Sequence, residues 1–503
     1  MLARVTGCTV AGIEGKMVGV EVFLSSQLPS FDIVGLPDAA VREARDRVRA
    51  AIKNSGLEFP KQRIVVNLAP ADLKKEGPQL DLALACGVLS ASSQVLIGEK
   101  GLAILGELAL DGALRPVRGV LSMVLAARDA GLKKVLLPLE NAGEASLVGN
   151  MEILAARSLE EAIGILHGGQ AAVPPSARKM PEESAATDFA QVKGQAGAKR
   201  ALEVAAAGGH NVLMTGPPGA GKTMLARCLP SILPALGEAE ALETTKIYSA
   251  AGHLKDHAFL ITQRPFRLLH HTVTEAALCG GGRQARPGEV SLSHNGVLFL
   301  DELPEFRREA LEALRQPLED GEITVTRLQA TYTYPARFML IASLNPCPCG
   351  LLSDPTAECI CSAWQVQRYR QKLSGPLLDR FDLFVEVPRL RFEEVTRTEA
   401  AEPSREIKKR VEAARVRQRQ RFVQEVITHN GQMGPRQVEE CCRLDAAGRD
   451  LMRHAFQRLN LSARAYDRIL KVARTIADLE GSEQIASRHL AEAIGYRQSS
   501  GLG

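Results

Sequence analysis

The sequence predicts an α/β protein in three parts: a mixed α/β leading domain, a second α/β domain built on a parallel sheet, and an all-helical tail. Three observations carry this. Along residues 1–167, strand-like pieces at 18–23, 64–67 and 134–137 alternate with helix-like pieces at 39–55 and 117–130. Further on, the pieces 211–215, 296–300 and 338–343 are uniformly apolar, as parallel strands buried on both faces are, and helical patterns separate them. From about residue 392 strand signals vanish, and Ile469, Val472, Ala473 and Ile476 follow helical spacing with Ser462 placed as the cap.

The boundaries follow from punctuation. Gly168-Gly169, Pro174-Pro175, Pro181 and Glu182-Glu183-Ser184 interrupt the apolar pattern, so 168–186 reads as a linker between a domain at 1–167 and a core at 187–394, with the helical tail at 395–503. A chain of 503 residues exceeds one hydrophobic core, and 45% hydrophobic with 24% charged residues excludes a disordered chain. Arg4, Glu14 and Lys16 break up the first twenty residues, which lack the apolar stretch of a signal peptide, and no later run suggests a membrane span. A cytoplasmic protein with no membrane partner is expected. The ten cysteines are too few for a disulfide scaffold at this length and would stay reduced there. A net charge of +4 permits a nucleic-acid partner without indicating one.

Gly216, Pro217, Pro218, Gly219, Ala220, Gly221, Lys222 and Thr223 fit a phosphate loop between a strand and a helix. The glycines let backbone N–H groups close around phosphates at the positive end of the helix. Lys222 would reach the β- and γ-phosphates of ATP, and the Thr223 hydroxyl would bind Mg²⁺. Asp301 and Glu302 end the next apolar strand, where one carboxylate holds Mg²⁺ and the other polarises the attacking water. Asn345, at the end of the following strand, can orient that water. Arg380 lies beyond the sheet, where a guanidinium stabilises transition-state charge only on a nucleotide held by another subunit. Arg464 opens a helix of the tail and is placed to close over the γ-phosphate.

Gln191-Val192-Lys193-Gly194-Gln195, the phosphate loop, Gly280-Gly281-Gly282, Leu300-Asp301-Glu302-Leu303-Pro304, Asn345-Pro346-Cys347-Pro348-Cys349-Gly350 and the run from Gly375 to Phe381 together resemble the YifB/ComM family of magnesium-chelatase-like AAA+ proteins. The resemblance covers nearly the whole chain and departs slightly at Leu268 and Leu269. It implies a AAA+ core with a helical lid, a hexameric ring, and the roles of Walker A, Walker B, sensor 1, arginine finger and sensor 2 for the residues just named. It also implies a competence-associated helicase that promotes branch migration of recombining DNA, single-stranded or branched.

The interval from Lys222 to Asp301 exceeds the roughly 30 residues of a compact crossover, so something is inserted. Residues 280–289 read as a mobile basic loop, and 321–335 alternate as a hairpin. In related ring ATPases such insertions line the central pore, which makes Arg283, Arg286 and Arg327 the candidate DNA phosphate contacts. The basic run 405–421 is a secondary candidate. Residues 1–167 resemble the peptidase domain of Lon proteases, most clearly at Gly77-Pro78, from Gly106-Glu107 to Pro116, at Leu125-Ala126-Ala127 and from Leu136 to Leu139. That chemistry needs Ser and Lys, yet Gln79 and Leu121 stand at the two positions, which predicts a catalytically silent scaffold.

Cys347, Cys349, Cys359 and Cys361 form two close pairs across a short loop, either four ligands for Zn²⁺ or reduced structural thiols. Cys8, Cys86, Cys228, Cys279, Cys441 and Cys442 have no such company. Three functions suit these parts: a DNA motor, a chelatase-type ATPase that remodels a protein partner, and an unfoldase. The silent leading domain argues against the third.

Overall fold

A computed structural model describes residues 1–97, 101–172, 187–254, 260–281, 286–326, 331–352, 354, 357–396, 401–425 and 427–498. Most of the expected linker, residues 173–186, lies outside these.

The leading part is a mixed seven-stranded sheet in the order Phe31–Val34, Arg63–Ala69, Glu14–Ser25, Leu2–Ala11, Leu102–Ile104, Lys134–Pro138, Glu152–Ala156. Leu2–Ala11 and Glu14–Ser25 pair antiparallel along their whole length around a turn at Gly12. Period-two alternation places Val18, Val20 and Val22 inside. The helix Asp81–Ala91 is apolar all round and buried along nearly its whole length.

The core sheet has five strands, all parallel, in the order Phe266–Leu269, Val297–Leu300, Met339–Leu344, Val212–Thr215, Leu383–Glu386. Val297–Leu300 and Met339–Leu344 are buried throughout, as their uninterrupted apolar sequences require. The two parts meet through the helix Glu238–Ala251. Its Lys246 pairs with Glu14 at 2.7 Å, and the buried Glu144 accepts hydrogen bonds from Ser249 Oγ and from Leu121 N. Burial raises the Glu144 pKa.

The tail is helical: Ser404–Arg421, Pro435–Cys441, Ala446–Arg458, Ala463–Leu479 and Ser487–Gln498. Ser462 caps the fourth of these by accepting from Ala465 N at 3.2 Å. The basic run 405–421 is only partly committed to internal contacts, since Arg405, Lys409, Arg417 and Arg419 are exposed. Arg410 pairs with Glu203 and Glu402, Arg415 is buried and donates to Ala206 O, and Arg417 donates to Asp478 O. Arg421 pairs with the Asp478 carboxylate. Alternation of charge along a helix cannot reveal this, because the acidic partners come from other elements. Among the described residues no helix is long and apolar enough to cross a membrane.

Asp478 is fully buried and accepts from Arg421, from Arg474 at 3.0 Å and from Asn430 at 2.8 Å. Asp478→Ala leaves buried guanidinium groups without a counter-charge and is expected to cost about 3 kcal/mol or more in denaturant unfolding. The exposed Asp450, paired only with Arg453 in the same helix, should cost under about 1 kcal/mol when replaced by Ala.

Candidate nucleotide site

Parallel pairing sends the C-terminal ends of the central strands to one edge of the sheet, and the candidate residues collect there. Thr215 ends one strand and leads into the phosphate loop, where Gly219 and Gly221 adopt φ of +77° and +94°, a region that other residues rarely enter. The loop delivers Lys222 and Thr223 to the start of the helix Lys222–Cys228. Lys222 Nζ donates to Gly216 O at 2.6 Å, Pro217 O at 3.0 Å and Asn345 Oδ1 at 3.0 Å. Burial brings its pKa down to about 8, against Asp301 and Glu302, which favour the charged form. A phosphate would add negative charge and strengthen that form.

Thr223 Oγ1 donates to Asp301 Oδ2 at 2.8 Å, so the hydroxyl and carboxylate expected to share a magnesium ion are adjacent. Ser343 was not anticipated. Its hydroxyl donates to Asp301 Oδ1 and accepts from Glu302 N at 3.2 Å, fixing both acidic residues from the neighbouring strand. The one signal available was a hydroxyl in a strand that is otherwise apolar. Glu302 has a φ of +57°, a strained conformation for a residue with a side chain, and its carboxylate is half exposed with His271 Nδ1 3.9 Å away. Together these groups can cradle a triphosphate, hold a hard divalent cation on oxygen ligands and polarise a water.

Arg380 and Arg464 are elsewhere. Both line a cavity of about 760 Å³ that also touches Asn211, Gly296 and Met339. These three sit at the N-terminal ends of strands, and Asn211 Nδ2 donates to Arg380 O at 2.9 Å. Four strand residues span about 13 Å, so the pair lies across the sheet from Lys222 of the same chain. Arg464 therefore does not cover its own phosphate loop. Arg380 is buried, contacts Glu319, and is held below its usual pKa by burial and then by Arg468, Arg464 and Arg315.

Arg286 is described and exposed, at the base of a short hairpin in which Gly280–Gly281 pairs antiparallel with Arg286–Pro287. The base of the expected loop is thus paired, and residues 282–285 lie outside the described residues. Gly280, at φ +95°, abuts the backbone of Arg286 and Gly288, where a side chain would collide. Arg283 and Arg327 lie outside the described residues. The second hairpin joins Glu322–Thr326 to Thr331–Pro335. Gln79 is buried and donates to Thr9 Oγ1 at 2.7 Å, and Leu121 is buried as well.

Cys347, Cys349, Cys359 and Cys361 converge with all sulfur atoms within 4.8 Å of one another. Cys347 Sγ lies 3.4 Å from Cys349 Sγ and 3.6 Å from Cys359 Sγ. A disulfide needs about 2.05 Å, whereas the edge of a tetrahedron around zinc at 2.3 Å is about 3.8 Å, so the spacing suits a shared metal. The other six cysteines are free and apart from this group.

The magnesium chelatase family, subunit ChlI, matches residues 188–395. A second ChlI description matches 20–141 and the ChlI C-terminal description matches 401–497. The competence protein ComM of Haemophilus influenzae is 44% identical over 99% of this chain and 97% of its own length. YifB of Salmonella typhimurium is 44% identical over the same shares. Lon protease 2 of Bacillus subtilis is 30% identical over 24% of this chain and 21% of its own length.

Ser343→Ala removes the hydroxyl that holds Asp301 while keeping every proposed ligand. Loss of such a supporting bond costs roughly 10- to 100-fold in metal affinity, so a magnesium titration of ATP hydrolysis should shift its midpoint upward by about that factor. An unmoved midpoint would show that Asp301 needs no support.

Proposed function

This chain belongs to the YifB/ComM family of magnesium-chelatase-like AAA+ ATPases, and from that premise we propose a ring-forming motor that hydrolyses ATP with Mg²⁺ to drive branch migration of recombining DNA. The observation that carries the ring is the separation of Arg380 and Arg464 from the phosphate loop of their own chain.

In this reading Lys222 and the backbone of residues 216–223 bind the β- and γ-phosphates, while Thr223 and Asp301 hold Mg²⁺. Glu302 polarises the attacking water and Asn345 orients it. Arg380 and Arg464, on the far edge of the sheet, reach the γ-phosphate of a neighbouring subunit, so each site is completed only by assembly. A hexamer matches the family. Four thiolates at 347, 349, 359 and 361 hold one Zn²⁺ per chain, a soft ligand set that disfavours Mg²⁺.

DNA is supported by kinship to a competence protein along nearly the whole chain and by the exposed Arg286 at a hairpin base. Arg283 and Arg327 join it as phosphate contacts on sequence grounds. A second reading, remodelling of a protein partner, is favoured by the magnesium chelatase match across the core.

Lys222→Ala should abolish nucleotide binding, and Glu302→Gln should bind ATP without turnover. Mixing Arg380→Ala with Lys222→Ala subunits should recover part of the hydrolysis, since some interfaces then join an intact loop to an intact arginine. A monomer that hydrolyses ATP at the full rate would exclude the shared site.

Replacing Arg283, Arg286 and Arg327 together with Ala should weaken DNA binding regardless of sequence and flatten its salt dependence, because fewer counterions are released. Wild-type protein should move a branch point only with ATP. If DNA is neither bound nor able to change hydrolysis, the remodelling reading takes its place.

A further inference from the structure

The phosphate loop is enclosed by two neighbouring segments. On one side a Cβ at Gly216 would come within 2.1 Å of Val387 O, so the loop lies directly on the chain that leaves the edge strand. On the other side a Cβ at Gly350, whose φ is +81°, would come within 2.4 Å of Pro218 Cδ. Gly350 belongs to the four-cysteine loop, one residue after Cys349, and its N–H donates to Cys347 O at 3.0 Å. The two flanking segments are joined to each other as well. Asp354, buried in the cysteine loop, pairs with Arg389 at 3.0 Å, and Gln195 ties Pro388 O to Ala220 O inside the phosphate loop.

The cysteine loop also begins at the chemistry. Asn345, whose amide oxygen accepts from Lys222, stands two residues before the buried Cys347. Tyr369, in the helix Ala363–Arg370 just beyond Cys361, meets the Asn345 backbone. Among the described residues of the loop from Pro346 to Cys361, Leu352 and Ile360 are exposed. Among its described residues, the pair of Asp354 with Arg389 and the convergence of the four thiols tie the loop down beside Pro218.

We infer that zinc at these four thiolates is a clasp on the phosphate loop, so that nucleotide binding by this ATPase is gated by the metal. The inference rests on the zinc and ATP readings above. Removing the metal frees Gly350 from Pro218 and loosens Asn345 from Lys222, although no thiol touches the nucleotide.

The test uses the full chain, zinc analysis and a fluorescent ATP analogue. Wild-type protein is expected to carry about one zinc per chain. Stripping it with a chelator should weaken analogue binding at least tenfold, and zinc, but not magnesium, should restore it. Cys359→Ser with Cys361→Ser should behave as stripped protein that zinc cannot rescue. Gly350→Ala separates the clasp from the metal: it keeps all four thiols and its zinc, yet crowds Pro218, and it should lose analogue affinity. Far-UV circular dichroism confirms that each variant is folded. If stripped, folded protein binds the analogue as tightly as the wild type, the clasp is refuted and the zinc and ATP readings stand. Four thiols without zinc in active protein would refute the clasp at the metal itself. Zinc-loaded wild type that binds no analogue would instead refute the ATP reading.

Discussion

Parallel pairing of the core strands is the constraint on which the rest of this molecule depends. In a parallel sheet every strand delivers its C-terminal residue to the same edge, so the residues that follow Val212–Thr215, Val297–Leu300 and Met339–Leu344 are brought together without any of them being close in sequence. Lys222, Asp301 and Asn345 owe their proximity to that polarity. Arg380, which precedes Leu383–Glu386, is assigned to the opposite edge by the same rule. Strand direction thus separates the groups that hold a nucleotide from the arginines, and a ring is one geometry that reunites them.

What the sheet brings together, buried hydrogen bonds then fix. Asp301 receives Thr223 on one oxygen and Ser343 on the other, so its carboxylate is oriented from two different elements. Glu302 donates its backbone N–H to the Ser343 hydroxyl, leaving its side chain exposed. The strained φ at Glu302 persists because these bonds and the buried strand before it determine the backbone there. Support of one carboxylate and exposure of its neighbour follow from a single serine.

The sequence disclosed the elements whose physics is local. Uniformly apolar strands, the glycines of the phosphate loop and the serine before Ala463–Leu479 each carry a requirement visible within a few residues. Ser343 was missed because its meaning comes from a carboxylate on another strand. The partners of Arg410, Arg415 and Arg421 in the basic run 405–421 were hidden for the same reason: Glu203, Ala206 and Asp478 are remote in sequence. The pairing of Gly280–Gly281 with Arg286–Pro287 was not legible because a two-residue ladder is too short to leave a period. The position of Arg464 required knowing which edge of the sheet the tail packs against, and no pattern in the tail contains that.

In the leading part, the two positions that the sequence assigns to an absent catalytic pair, Gln79 and Leu121, are both buried. A peptidase of the resembled type needs a hydroxyl and an amine, whereas these two side chains are an amide and an isobutyl group. Their atoms serve the packing instead. The Gln79 amide is spent on Thr9, and the backbone N–H of Leu121 is spent on Glu144, which in turn accepts from Ser249 of the core. The cavity of about 440 Å³ beside Gln79 is bounded by Arg118 on one part and by Arg286 and Tyr332 on the other. Tyr332 lies against Gly12, where a Cβ would come within 3.1 Å of its ring. That cavity is therefore walled by residues of both hairpins of the ATPase core. Substitutions there act on the joint between the two parts, and Gly12, at the tip of the first two strands, combines a φ of +67° with the close approach of the core hairpin.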